Sequence, residues 1–187
     1  MKFTGIEKKY EGNYIALYTV SYETEKGRNK KYEMISRNRN MKTLEELQRE
    51  KADAVVMILH DKDGDRILIN YEFRMALGNW VFNFPAGLID PGETAEEAAA
   101  RELREETGLT LEHIDEVWMD SYSAVGFSNE RNIVVLGTAA GEFSRSHTDM
   151  EEIHAHWYTR EEVRRMLKTE FFTARAQAYC TLWCRGV

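Results

Sequence analysis

Three glutamates, Glu102, Glu105 and Glu106, stand at i, i+3 and i+4, the spacing that gathers side chains on one side of a helix. Carboxylates crowded in this way repel one another, and those turned toward the protein lose hydration. Such groups either take up protons or hold cations. A cluster of hard oxygen donors suits Mg2+ or Mn2+ best. At 100° per residue, Ala95, Ala98, Ala99 and Leu103 fall on the same broad arc as the three acids, while Glu97, Arg101 and Arg104 take the opposite side. The alanines keep the approach to that surface clear of bulk. A solvated charged helix, with Arg101 pairing Glu105, is the plainer reading of a Glu-rich segment. The shared arc and the loop that precedes it favour a metal site.

That loop and helix are what must position the acids. The only two prolines, Pro85 and Pro91, flank the segment Pro85-Ala86-Gly87-Leu88-Ile89-Asp90-Pro91-Gly92-Glu93, a composition suited to a backbone held in a defined shape. Thr94 is placed as an N-cap, Glu97 completes a capping box three residues on, and Gly108 ends the helix. A helix over about 94–107 follows.

The rest of the chain reads as strands with helices at the end. Residues 13–24 and 31–36 form a hairpin around Glu25-Lys26-Gly27-Arg28-Asn29, and 43–51 is a short helix or loop. Further strands are expected at 52–59, 66–73, 80–84, 114–121, 132–138 and 153–158, and helices at 160–168 and 172–184. Strands bracketing a helix, with helices behind, give an α/β fold in which helices pack on a mixed sheet. Asp61, Asp63, Asp65 and Glu72 occupy four positions of a calcium-binding loop, but Arg66 stands where glycine is needed and β-formers surround the turn. A hairpin turn is expected there. Cys180 and Cys184 read as small packed residues, with no further cysteine to complete a zinc site. His60, His113, His147, His154 and His156 form no recognisable ligand set.

With 187 residues, 43% hydrophobic and 30% charged, the composition is that of a globular protein. No run approaches the ~20 apolar residues needed to span a bilayer, and the start lacks the apolar stretch of a signal peptide, so a cytoplasmic location is expected. A net charge of −7 disfavours stable nucleic-acid binding. An anionic substrate must then meet local positive charge, from a few arginines or bound cations.

Gly87, five residues, Glu93, seven residues and Arg101-Glu102-Leu103-Arg104-Glu105-Glu106-Thr107-Gly108-Leu109 resemble the Nudix box without a departure. The resemblance implies a Nudix-type α/β/α sandwich with an N-terminal β-hairpin extension. It implies that Glu102, Glu105 and Glu106 bind divalent metal with the carbonyl of Ala86, and that Gly87, Glu93 and Arg101 hold the box together. The implied chemistry is attack of water on phosphorus.

Beyond the box, the chain is similar to the ADP-ribose and ADP-sugar pyrophosphatase branch. Glu72-Phe73-Arg74 resembles the strand that carries a substrate-binding arginine. Gly126-Phe127-Ser128-Asn129-Glu130 resembles the loop after the box, with Ala124-Val125 where Ser-Pro is common. Arg74, Glu130 and Arg37, with Arg39 competing for the last role, are the implied substrate contacts. Glu151 is the implied catalytic base, Glu152 the second choice, and Glu105 a further candidate on the box helix. The hairpin resembles strands exchanged across a homodimer, which divides the chain into residues 1–45, for dimerisation, and 46–187, for hydrolysis. Hydrolysis of nucleoside triphosphates, dinucleotides or capped RNA is the alternative activity, and a nucleotide-sensing module the non-catalytic one. An isopentenyl diphosphate isomerase would need a cysteine beside the site, and both cysteines lie in the last helix.

Overall fold

A computed structural model describes residues 1–48, 51–144 and 150–186. His147 and residues 49–50 of the 43–51 segment lie outside the described residues. The chain divides into two compact units, Met1–Asp53 with Asp120–Asn132, and Ala54–Met119 with Ile133–Val187.

In the first unit the expected hairpin is β2 (Ala16–Glu23) and β3 (Asn29–Ser36), paired antiparallel. Another strand, β1 (Lys2–Glu11), pairs antiparallel with β2 and makes the sheet three-stranded. The sequence hid it for two reasons. Register shifts between Phe3 and Gly5 and between Lys8 and Tyr10 break the period of two, and most of β1 is exposed, so no apolar alternation marks it. The unit's core gathers Ala16, Tyr18, Val20, Met34 and Met41. The fully buried Tyr18 keeps its hydroxyl paired, donating to Asn38 O (2.9 Å) and accepting from Met41 N (3.2 Å). Within 43–51 the described helix is one short turn, α1 (Leu44–Gln48).

The second unit is built on β4 (Ala54–His60), β5 (Arg66–Arg74), β6 (Asn79–Asn83), β7 (Ala86–Leu88), β8 (Thr110–Tyr122), β9 (Arg131–Ala140) and β10 (Ile153–Thr159), with the ends of β8 and β9 in the first unit. Strand order is β10-β5-β4-β9-β8, with β6 on β5 and β7 on β4. Helix α2 (Ala95–Thr107) covers one face through Ala95, Ala98, Ala99 and Leu103, packed with Val55, Met57, Leu59 and Leu68. Helices α3 (Arg160–Met166) and α4 (Ala174–Trp183) cover the other through Val163, Ala176, Cys180 and Trp183, packed with Val56, Ile58, Ile67 and Ile69. Burial on both faces is why β4 reads as an unbroken apolar run. This is the α/β/α layering expected, with a mixed sheet.

Two smaller expectations also meet their outcome here. The Asp61–Asp65 segment is a hairpin turn: the Asp61 carboxylate accepts from Asp65 N (2.9 Å), Arg66 N (3.0 Å) and Arg66 Nε (2.7 Å). Both cysteines are free and buried among apolar side chains, and burial pushes the Cys180 thiol up to about 12.

An aromatic run crosses the α4 side of β10, β5 and β6. His154 stacks on Trp80 (5.3 Å), Trp80 on Tyr71 (4.8 Å), Tyr71 on Phe82 (4.6 Å) and Phe82 on Phe172 (5.3 Å). The register explains it, since Tyr71 lies opposite both Phe82 and His154, and Phe73 opposite Trp80. His154 is therefore an exposed ring stacked on Trp80.

Candidate active site

The box loop is not irregular throughout. Ala86, Gly87 and Leu88 form β7, antiparallel to Val56, Val55 and Ala54, and Met57 N donates to Pro85 O (2.8 Å). The loop is thus pinned to a core strand just before α2 begins. The helix starts with the expected capping box between Thr94 and Glu97 and ends on Gly108 in the left-handed conformation (φ 80°).

Arg101 joins loop to helix. Its Nε and Nη2 donate to the two carboxylate oxygens of Glu93 (2.9 and 2.8 Å), and Nη2 also reaches Leu88 O (2.9 Å). Nη1 donates to Glu102 Oε1 (2.8 Å) and, at 3.4 Å, to Glu105 Oε2. The two-pronged bond from Arg101 holds the Glu93 carboxyl at about 2. The helical wheel had assigned Arg101 to the side away from the acids. Its long stem instead carries the guanidinium round to the loop, a reach that a wheel of Cα directions does not show.

The three box acids sit at different depths. Glu106 is buried (7% exposed) and accepts from Asn70 Nδ2 (2.8 Å). Glu102 is half-buried, and Glu105 is exposed at the edge of the helix, not turned inward as the shared arc implied. Glu102 lies against Gly87 so closely that a Cβ there would stand 1.9 Å from its carboxyl carbon. Gly87 is needed for that approach and not for backbone freedom. Burial pushes Glu106 well above the usual carboxylate range, with further contributions from Glu72, Glu102 and Glu151. Burial also raises Glu102, against the pull of Arg101.

Glu151 precedes β10 and is exposed, yet its charge acts on Glu72, Glu102 and Glu106. Glu152 is exposed too, and its carbonyl accepts from Phe73 N (3.0 Å). Arg74 is exposed on β5, with Nε 3.8 Å from Glu72 Oε1. In the first unit, Arg37 Nε donates to Glu130 Oε1 (2.8 Å), so two expected substrate contacts are paired with each other. Arg39 lies 3.8 Å from Glu11.

Glu72 and Asn70 were not singled out as site residues by sequence reasoning. The signal was present in β5, where Asn70 and Glu72 interrupt an apolar strand at alternate positions facing α2. Among the described residues, no three of His, Cys, Asp and Glu draw together tightly enough to cage a metal ion outright. The donor chemistry nonetheless fits a hard cation: Glu72, Glu102 and Glu151 all act on the buried Glu106, and the Gly87 cradle brings Glu102 to the backbone.

The NUDIX domain matches residues 50–182. The chain belongs to the Nudix family. An ADP-ribose pyrophosphatase of Mycobacterium tuberculosis is 36% identical over 129 residues, covering 67% of this chain and 61% of the relative. The NAD-capped RNA hydrolase NudC of Mycobacterium bovis is also 36% identical, over 119 residues, covering 61% of this chain and 34% of the relative. This Nudix chain thus spans less than two thirds of the length of either relative. A solved structure described as an ADP compounds hydrolase superposes with a TM-score of 0.74 at 20% identity, covering 100% of this chain and 96% of the other, and shares its fold.

Proposed function

We propose that the protein hydrolyses the diphosphate bond of nucleoside diphosphate-linked compounds, ADP-ribose or another nucleotide sugar, to a nucleoside monophosphate and a sugar phosphate. The observation that carries this reading is the pair of desolvated carboxylates, Glu102 and Glu106, set against the Gly87 loop by the Arg101–Glu93 clamp. Glu102, Glu105 and Glu106, with the Ala86 carbonyl, would hold Mg2+ or Mn2+. When bound, the ion neutralises the diphosphate and lowers the pKa of the attacking water.

The remaining steps belong to the chain. Glu151, exposed and close enough to act on the other acids, accepts the proton of the water as its oxygen bonds to phosphorus and the bridging P–O bond breaks. Glu152 is the second choice for that proton, and Glu105, at the exposed edge of α2, a further candidate. Arg74 binds the phosphates, Arg37 of one subunit reaches toward the nucleotide held by its partner, and Glu130 is a further substrate contact. We also propose a homodimer in the cytoplasm, with residues 1–45 dimerising and 46–187 carrying the chemistry. No described helix is long and apolar enough to cross a membrane.

The resemblance to the mycobacterial NAD-capped RNA hydrolase favours a second reading, cleavage of the diphosphate in a capped RNA. A panel of nucleotide sugars, dinucleotides, nucleoside triphosphates and NAD-capped RNA, assayed for phosphate or AMP release, separates the two. The expected result is the highest kcat/KM on a diphosphate sugar. Far better turnover of capped RNA or a triphosphate would remove the substrate class proposed here.

A further inference from the structure

Two polar side chains of β5, Asn70 and Glu72, face α2 where a doubly covered strand should present apolar groups, and they are 0% and 5% exposed. Each is oriented by a partner. Asn70 Nδ2 donates to Glu106 Oε2 (2.8 Å), while Asn70 Oδ1 is buried without a hydrogen-bond partner. Asn83 Nδ2 donates to Glu72 Oε1 (2.9 Å), and the Thr173 hydroxyl donates to Asn83 Oδ1 (2.7 Å), which fixes the way the Asn83 amide faces. Glu72 therefore stands in a set position. Its charge adds to the rise in Glu106, and burial pushes Glu72 itself above the usual range.

Among the described residues, the hydrogen bonds to these two buried carboxylates come from neutral amides, and the guanidiniums of Arg74, 3.8 Å away, and Arg175 act on Glu72 through charge alone. For stability alone, apolar side chains would fill the space at lower cost. An unpaired amide oxygen beside two buried carboxylates is the donor set of a hard cation.

We propose that Glu72 and Asn70 Oδ1 form the inner wall of the cation centre, adding oxygen donors from β5 to those of α2, directly or through ordered water. The proposal rests on the metal-binding reading of Glu102 and Glu106. It makes the centre a structure of two elements, strand and helix, instead of the box helix and its loop alone.

The test is Mn2+ binding by the full chain without nucleotide, read from the electron paramagnetic resonance signal of free Mn2+. Glu72→Gln keeps the volume and the bond from Asn83 but removes the charge. It should weaken Mn2+ by about 10- to 100-fold, the range for loss of a supporting donor. Asn70→Leu should weaken it as well, whereas Asn70→Asp, which keeps the oxygens, should bind at least as tightly as wild type. If Glu72→Gln does not fold, Glu72→Asp, with its carboxylate drawn back, supplies the same readout. Wild-type affinity in a folded Glu72 variant overturns the proposal and leaves Glu72 a structural residue. A wild-type protein that binds no Mn2+ overturns the metal reading of the box together with this proposal.

Discussion

Glu106 ties stability to the site's chemistry. Its carboxyl is raised in the folded state by burial and by neighbouring acids, so it contributes stability that is fully present below the ordinary value of 4.5 and lost as pH rises through its folded value. Metal-free protein should therefore lose stability as pH rises above about 4.5 and through the folded value of Glu106, an effect that Glu106→Gln reduces and that Glu72 and Glu102, also raised, share. At neutral pH in excess chelator the variant should melt a few degrees above wild type, since about 1 kcal/mol moves Tm by roughly 2–4 °C at this length. Added Mg2+ should reverse the order and leave the variant nearly inactive. A variant no more stable than wild type in chelator would remove the account of Glu106 as a desolvated charge. Glu151→Gln should behave differently, lowering kcat by about two to four orders of magnitude with little change in Mn2+ affinity or melting. If Glu152→Gln has that effect instead, the base is its neighbour.

Among the elements, the short strand β7 gives the Pro/Gly loop its defined shape, and the Arg101–Glu93 clamp ties that loop to α2. Gly87→Ala would drive a methyl group into the Glu102 carboxyl, the movable end of a flexible side chain. The protein should fold and melt close to wild type, while Mn2+ affinity and kcat both fall by at least tenfold. A fully active Gly87→Ala would show that the close approach is dispensable. Arg101→Ala removes the bonds to Glu93 and Leu88, and amide exchange across residues 87–93 should quicken. Glu93 is held at about 2 against an ordinary 4.5, so the clamp contributes above 4.5 and is lost as pH falls through about 2. Wild type should accordingly show an acid-induced loosening of this loop that Arg101→Ala lacks.

Over the whole molecule, what the sequence revealed follows from how local each signal is. The box helix, its caps and the apolar strand β4 were legible because their patterns lie within a dozen residues. Strand β1 was not, because a mostly exposed, twice-bulged strand has no pattern of its own and is defined by β2. Residue depth was equally hidden. Glu102, Glu105 and Glu106 share an arc on a wheel, but the β5 side chains decide which is buried, and they lie some thirty residues earlier in the chain. Arg74 belongs to that same strand. As an exposed arginine binding substrate and transition state about equally, Arg74→Ala should raise KM more than it lowers kcat on a nucleotide sugar. A fall in kcat alone would make it part of the chemistry instead.

The stack His154–Trp80–Tyr71 has an optical consequence. Trp80 lies opposite Phe73 in the β5–β6 pairing, one residue along from Arg74 and Glu72, and its indole is held between two other rings. The protein thus carries its own fluorophore on the strand that pairs with Arg74's, across the sheet from the proposed phosphate contact. The chain has four tryptophans, so replacing Trp118, Trp157 and Trp183 by phenylalanine isolates its emission. A ligand that engages Arg74 and shifts the β5–β6 hairpin alters the ring overlap, and with it the quenching of Trp80. Binding becomes visible as a change in light before any bond is broken.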